Sequence, residues 1–244
     1  MPKATASPLS SNASPSAAYD GPTSTVVLIC GPPGSGKTSS ISPPGSQGLP
    51  VDKTFVFTDQ PLPFRNHRKF LKADHINSSR DWIGITSKMK SLALEDSPIL
   101  YPIIDDFDYI LAGIMMNRIK ESGWDKWNDV ANAGYQIIQR AMRMRSDQIV
   151  FIMAHDEVDK RDRAVMKTFG NLLREKLEPE GYVQIVLWSQ VDENPETGKM
   201  EFTLRTQPDG RTLAKSPAGM FTEPNIPNDL AYVVERIEAF YAEG

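Results

Sequence analysis

TVVLICGPPGSGKTSS, Thr25 to Ser40, opens with an unbroken apolar run and turns at Gly31 into a loop of glycine, proline and serine that ends in Lys37-Thr38. Continuous rather than alternating apolar residues predict a strand buried on both faces, as in a parallel sheet. The loop satisfies G-x-x-x-x-G-K-[ST] in the setting that pattern requires, after a strand and before a predicted helix. Its mechanics are those of a phosphate cradle. Gly34 and Gly36 let the backbone curl with its amides inward, a following helix adds partial positive charge, the Lys37 ammonium reaches the β- and γ-phosphates, and the Thr38 hydroxyl is offered to Mg²⁺. Gly31, Pro32, Pro33, Gly34, Ser35, Gly36, Lys37, Thr38 and Ser39 are the predicted nucleotide-binding set, with ATP and Mg²⁺ as the expected cofactors.

Outward from this loop, short β-branched runs alternate with helical segments, which predicts an α/β fold with a mostly parallel sheet flanked by helices. Strands are expected at 25–30, 53–58, 98–104 and 148–154, and helices after the loop, around 80–92, and over 107–121, 126–145 and 163–178. Pro102 removes a ladder donor and predicts an irregularity in the third strand. From residue 182 the pattern changes. YVQIVLWSQVDE, the turn-rich NPETGK and MEFTLRTQ predict an antiparallel hairpin added to the sheet, and NDLAYVVERIEAFYAE predicts a closing helix capped by Asn228 or Asp229.

A second chemical element is ILYPIIDDFDYI, where an apolar strand ends in Asp105-Asp106. Paired with a phosphate loop, the first carboxylate is the expected magnesium holder, so Thr38 and Asp105 form the predicted metal set. His155 ends the strand FIMAH, at the edge where ligands of open α/β sheets bind, and is a candidate sensor of the γ-phosphate. His67 and His75 have no partners at metal-ligand spacing.

The chain has 244 residues, 40% apolar and 24% charged, enough for one substantial core over 25–244. Residues 1–24, rich in Ser, Ala and Pro, are expected to form a disordered tail, and no apolar run is long enough to cross a bilayer. A net charge of −4 excludes a general attraction to nucleic acid, so any such contact requires a local patch. Residues 155–167 carry Lys160, Arg161, Arg163 and Lys167, offset by Asp156, Glu157, Asp159 and Asp162. Arg140, Arg143 and Arg145 form a second basic stretch, and Trp124 and Trp127 are the nearest aromatics for base stacking. The single Cys30, inside the first strand, rules out a disulfide framework and implies a reducing compartment.

GPPGSGKT, TDQPLPF, IIDDFDYI, FIMAH, TFGNLLREKL, DGRTLAKSPAGMF and IPNDL together resemble the phage-encoded AAA/RecA-like ATP-binding proteins, a group that includes single-strand annealing ATPases. The resemblance runs from residue 25 onward and implies a RecA-like (ASCE) P-loop NTPase, acting with single-stranded DNA through 155–167 in phage recombination or replication, in the bacterial cytoplasm. It also implies a ring or filament in which a neighbour's cation completes the site, with Arg205, Arg211 and above all Lys215 as candidates. By the same resemblance Asp59, after the second strand, and Asp106 compete for the role of the base that orients the attacking water. The predicted catalytic set is thus Lys37, Asp59, Asp106, His155 and Lys215. Two other readings stay open: a nucleotide-dependent loader or switch acting on another replication protein, and a small-molecule kinase.

Overall fold

The computed structural model describes residues 23–78, 81–169, 172–174 and 178–242. It is a mixed α/β fold with a mostly parallel central sheet flanked by helices. In chain order the strands are β1 (Thr25–Gly31), β2 (Thr54–Phe57), β3 (Ile76–Asn77), β4 (Tyr101–Ile104), β5 (Ile149–Val158), β6 (Ala164–Met166), β7 (Ile185–Glu193), β8 (Met200–Arg205) and β9 (Asn225–Pro227). They lie side by side as β3-β2-β4-β5-β1-β7-β8-β9, with β6 paired to β5 alone. β3 to β7 in that row are mutually parallel, and β8 and β9 add antiparallel pairs, the C-terminal hairpin expected from the sequence.

Helices α1 (His67–Lys72), α2 (Trp82–Leu92), α3 (Phe107–Asn117), α4 (Asp125–Met142), α5 (Pro179–Tyr182) and α6 (Leu230–Ala242) complete the chain. The α2–α4 group packs on one face of the sheet through residues such as Met89, Leu111 and Ile137. Phe70 of α1 and Leu230, Val233 and Ile237 of α6 cover the other. Burial on both faces explains why β1, β2 and β4 read as unbroken apolar runs. Asp81 starts α2 by accepting the amides of Ile83 and Gly84 at 3.0 and 3.1 Å. At α6, Asp229 takes the capping role, accepting the Ala231 amide at 2.9 Å, while Asn228 turns elsewhere.

Several expectations are corrected. Behind the glycine-rich loop stands only a turn of 3-10 helix, Thr38–Ile41, because Pro43 and Pro44 bring no amide to continue it. The helix expected over 163–178 begins instead as strand β6, which folds back on an extended β5. Helix resumes at 172–174, and residues 170–171 and 175–177 lie outside the described residues. The third strand is shorter than 98–104, and Pro102 faces β2 while pairing with β5 begins only at Ile103, so its missing amide breaks no bond to β5. Of the tail, residues 1–22 lie outside the described residues, but Thr23 and Ser24 are tied to the end of α4, their hydroxyls donating to the carbonyls of Met144 and Ala141. β3, β6, β9 and α1 have no counterpart in the sequence-based expectation. No helix among the described residues is long and apolar enough to cross a membrane.

Candidate functional site

The phosphate loop, Asp105-Asp106 and His155 all lie at the C-terminal edge of the parallel strands, as chain direction requires. β5 runs between β1 and β4, so Gly31 faces His155 across one ladder and Ile104 faces Ile152 across the other. Gly34, Gly36 to Ser39, Asp106 and His155, together with Pro43 to Ser46, Phe202 and Pro227 to Asp229, line a cleft of about 850 Å³, while Asp105 is buried and meets Thr38 rather than lining it.

Gly34 and Gly36 adopt φ of +80° and +91°, the left-handed region that curls the loop. The loop is tied to the sheet where Ser189 of β7 donates to the Ser35 carbonyl at 2.8 Å. Lys37 is 5% exposed, and its ammonium donates to the carbonyls of Gly31 and Pro32 at 2.8 and 2.9 Å. Among the described residues no carboxylate pairs with it within 4.0 Å, and burial lowers its pKa against the opposing pull of Asp106 and Asp156. A buried cation neutralised only by carbonyl dipoles is costly and is relieved by an anion. Because the helix behind the loop is a single turn, the cradle rests on Lys37 and the curled backbone rather than on a long helix dipole.

Thr38 donates its hydroxyl to Asp105 Oδ1 at 3.0 Å, joining the loop after β1 to the end of β4 across β5. Asp105 is 1% exposed, and burial together with the neighbouring Asp106 charge pushes its carboxyl up to about 7, the Thr38 hydrogen bond pulling the other way. A hydroxyl and a carboxylate oxygen in contact are the donors a hard cation takes alongside phosphate oxygens and water, so the pair fits magnesium. Among the described residues there is no cluster of three or more His, Cys, Asp or Glu side chains arranged to hold a metal by themselves.

Asp106 stands at the start of α3 with φ 51° and ψ 47°, a conformation Asp tolerates better than most residues, and its side chain caps no helix amide. That twist leaves its carboxylate lining the cleft. Burial raises its pKa, the His155 charge lowers it and the Asp108 charge raises it. His155 is held from behind. The wholly buried Asp108 accepts the His155 amide at 3.0 Å and faces the ring Nδ1 at 3.1 Å, and the Tyr109 ring lies 5.2 Å away. Nδ1–H thus belongs to Asp108, leaving Nε2 as the second ring nitrogen for other partners.

Not every predicted residue joins this group. Asp59 lies past β2, half-buried, and is not among the residues lining the cleft, whereas nearby Pro63 is. Lys215 is held by paired backbone bonds to Val186 at 2.8 Å and lines a separate cavity of about 870 Å³ with Arg163, Arg174 and Glu180. Burial lowers its pKa, with Glu180 opposing. Arg205 is pinned to the Gln207 carbonyl at 3.1 Å and to Asp209 at 3.3 Å, and Arg211 is exposed. The 155–167 segment is a hairpin rather than a loop, and Asp159 organises its turn by accepting the amides of Arg161 and Arg163 and pairing with the Arg163 guanidinium at 2.8 Å. Lys160 and Arg161 remain exposed on it. Arg145 is structural, donating to the carbonyls of Leu94 and Ser97 and pairing with Asp147. Trp127 packs on the core, whereas Trp124 is 80% exposed.

Asp108, Phe202 and Asn228 belong to the site but were not read from the sequence as such. Asp108 is a third acid within four residues, and its partner His155 lies 47 positions away, so only the β4–β5 register joins them. Asn228 reads as a helix cap, and Phe202 as an ordinary strand residue. The chain matches no protein-family model, and no curated protein is significantly similar to it.

Proposed function

We propose that the chain is a RecA-like P-loop ATPase that binds Mg²⁺-ATP in the cleft and hydrolyses it. The observation that carries this reading is the buried Lys37 ammonium, without a carboxylate partner among the described residues, on a loop curled at Gly34 and Gly36 and facing Asp105 across one strand. Lys37 neutralises the outer phosphates as it leaves the carbonyls of Gly31 and Pro32. Thr38 and Asp105 hold the magnesium, which on binding offsets the negative charge that builds on the transferring phosphoryl group.

Of the two carboxylates that competed for the base, Asp106 is the one that lines the cleft, so it takes the role of orienting water toward the γ-phosphorus. The water oxygen bonds to phosphorus, the bridging bond to the β-phosphate breaks, and the water proton passes toward Asp106. His155, steered by Asp108, presents Nε2 as a donor or acceptor for the γ-phosphate or that water. Lys37→Ala should abolish both the calorimetric heat of Mg²⁺-ATP binding and turnover; undiminished turnover overturns the assignment.

Single-stranded DNA is the partner the family resemblance implies, reached through Lys160 and Arg161 on the β5–β6 hairpin. The neutralisation of Arg163 by Asp159 favours a second reading, a nucleotide switch acting on another protein. A complex with single-stranded DNA that weakens steeply with salt supports the first, and salt-insensitive or absent binding supports the second.

A further inference from the structure

Asn228 sits on the connection from β9 to α6, is 8% exposed, and donates its Nδ2 to the Gly36 carbonyl at 2.9 Å. A carbonyl oxygen only accepts, so this bond fixes the amide with Nδ2 toward the loop and Oδ1 as the remaining acceptor. Oδ1 is buried and has no hydrogen-bond partner among the described residues. Such an acceptor is unfavourable until a donor reaches it. Beside it, Phe202 of β8 is 45% exposed, a large aromatic ring in a cleft rather than in the core. The two side chains meet over Gly36: a Cβ there would lie 2.6 Å from Asn228 Nδ2 and 2.9 Å from Phe202 Cδ1. Pro43, Pro44 and Pro227 add rigid apolar wall to the same cleft.

An aromatic face, proline walls and one fixed acceptor suit a flat heteroaromatic ring bearing an amino group. Resting on the nucleotide reading above, we propose that Phe202 and Asn228 form the base-recognition subsite, with adenine stacked on the Phe202 ring and its exocyclic amino group donating to Asn228 Oδ1. The ring covers Gly36 beside the amide, so the base moves it aside as it seats. Phe202 pairs with β7 but precedes the β8 residues that pair with β9, and its half-exposed ring has the freedom to do so. Lys37 and Thr38 hold the phosphates, and the Phe202–Asn228 pair, meeting the same loop at Gly36, reads the other end of the same molecule.

Calorimetry with Mg²⁺ and three probes tests this: ATP, purine riboside triphosphate (which lacks the amino group) and inorganic tripolyphosphate. ATP should bind the native protein roughly tenfold more tightly than purine riboside triphosphate, as expected for one hydrogen bond to a buried acceptor. Asn228→Ala should level the two. Phe202→Ala should weaken both nucleotides by roughly five- to a hundredfold and leave tripolyphosphate unchanged, with Phe202→Trp restoring affinity. Equal binding of ATP and purine riboside triphosphate by the native protein overturns the inference and, provided tripolyphosphate still binds, leaves the phosphate site standing. If none of the three probes binds, the nucleotide reading falls and this subsite with it.

Discussion

Asp105 carries a carboxyl whose ordinary value of 3.8 is pushed up to about 7 by burial and by the adjacent Asp106 charge. Between those values the folded chain keeps a proton that the unfolded chain has lost, so this group's contribution to stability falls as pH rises through the window and is constant below and above it. Asp105→Asn should remove that slope and stabilise the ligand-free protein near pH 8, by an amount on the order of a few kcal/mol. Melting curves of the two proteins between pH 4 and pH 8 check the sign. Magnesium requires the ionised carboxylate, so Mg²⁺-ATP binding should tighten as pH rises through about 7. The same residue scale holds Asp108, which touches His155 and not the cleft. Asp108→Asn should lower kcat roughly 10- to 100-fold with little change in KM, the pattern of a lost orienting partner. A matching rise in KM would make Asp108 a general packing residue instead.

At the scale of elements, two departures from regularity shape the site. The 3-10 turn after Thr38 stops at Pro43-Pro44, which sends the chain along the rim of the cleft instead of down a long helix. β5 outruns its parallel partners and turns into the β5–β6 hairpin, whose first residue pairs lie next to His155. Lys167 donates its amide to the His155 carbonyl at 2.8 Å, so the hairpin base and the cleft share a backbone. Neutralising Lys160 and Arg161 together should flatten the salt dependence of single-stranded DNA binding by about 1.4 in log–log slope, two phosphate contacts' worth. Arg163→Ala should leave that slope alone, since its guanidinium belongs to Asp159, and cost no more than about 1 kcal/mol of stability. An unchanged slope in the double variant removes the hairpin from any DNA role.

For the whole molecule, Lys215 and the cleft occupy separate cavities of one chain, so a catalytic part for Lys215 requires a second copy. A mixture of Lys37→Ala and Lys215→Ala variants should then recover part of the ATPase rate, because a mixed interface joins an intact loop to an intact lysine. Specific activity should also rise with protein concentration. No recovery at any mixing ratio, with both variants still assembling, confines Lys215 to its own cavity beside Glu180. The net charge of −4 means that attraction to nucleic acid at this scale depends on local cations alone.

The amino-acid order alone determined the α/β alternation, the buried parallel strands, the added hairpin and the loop from Gly31 to Ser39, because each is written in neighbouring residues: unbroken apolar runs, turn residues and glycines at fixed offsets. It also placed Asp105 and Asp106 just past a strand end, whereas His155, expected to end its strand, marks only the last parallel pair with β1 while β5 runs on to Val158. Tertiary structure decided which of these meet. Thr38 reaches Asp105 only because a single strand, β5, separates their strands, Asp108 grips His155 only through the β4–β5 register, and Phe202 and Asn228 arrive at Gly36 from 166 and more positions away. The strand at the start of the helix expected over 163–178 has the same origin: its first residues have a pairing partner in β5, and the ladder outweighs local propensity. Local chemistry is legible along the chain, whereas convergence depends on strand order, which no short stretch encodes.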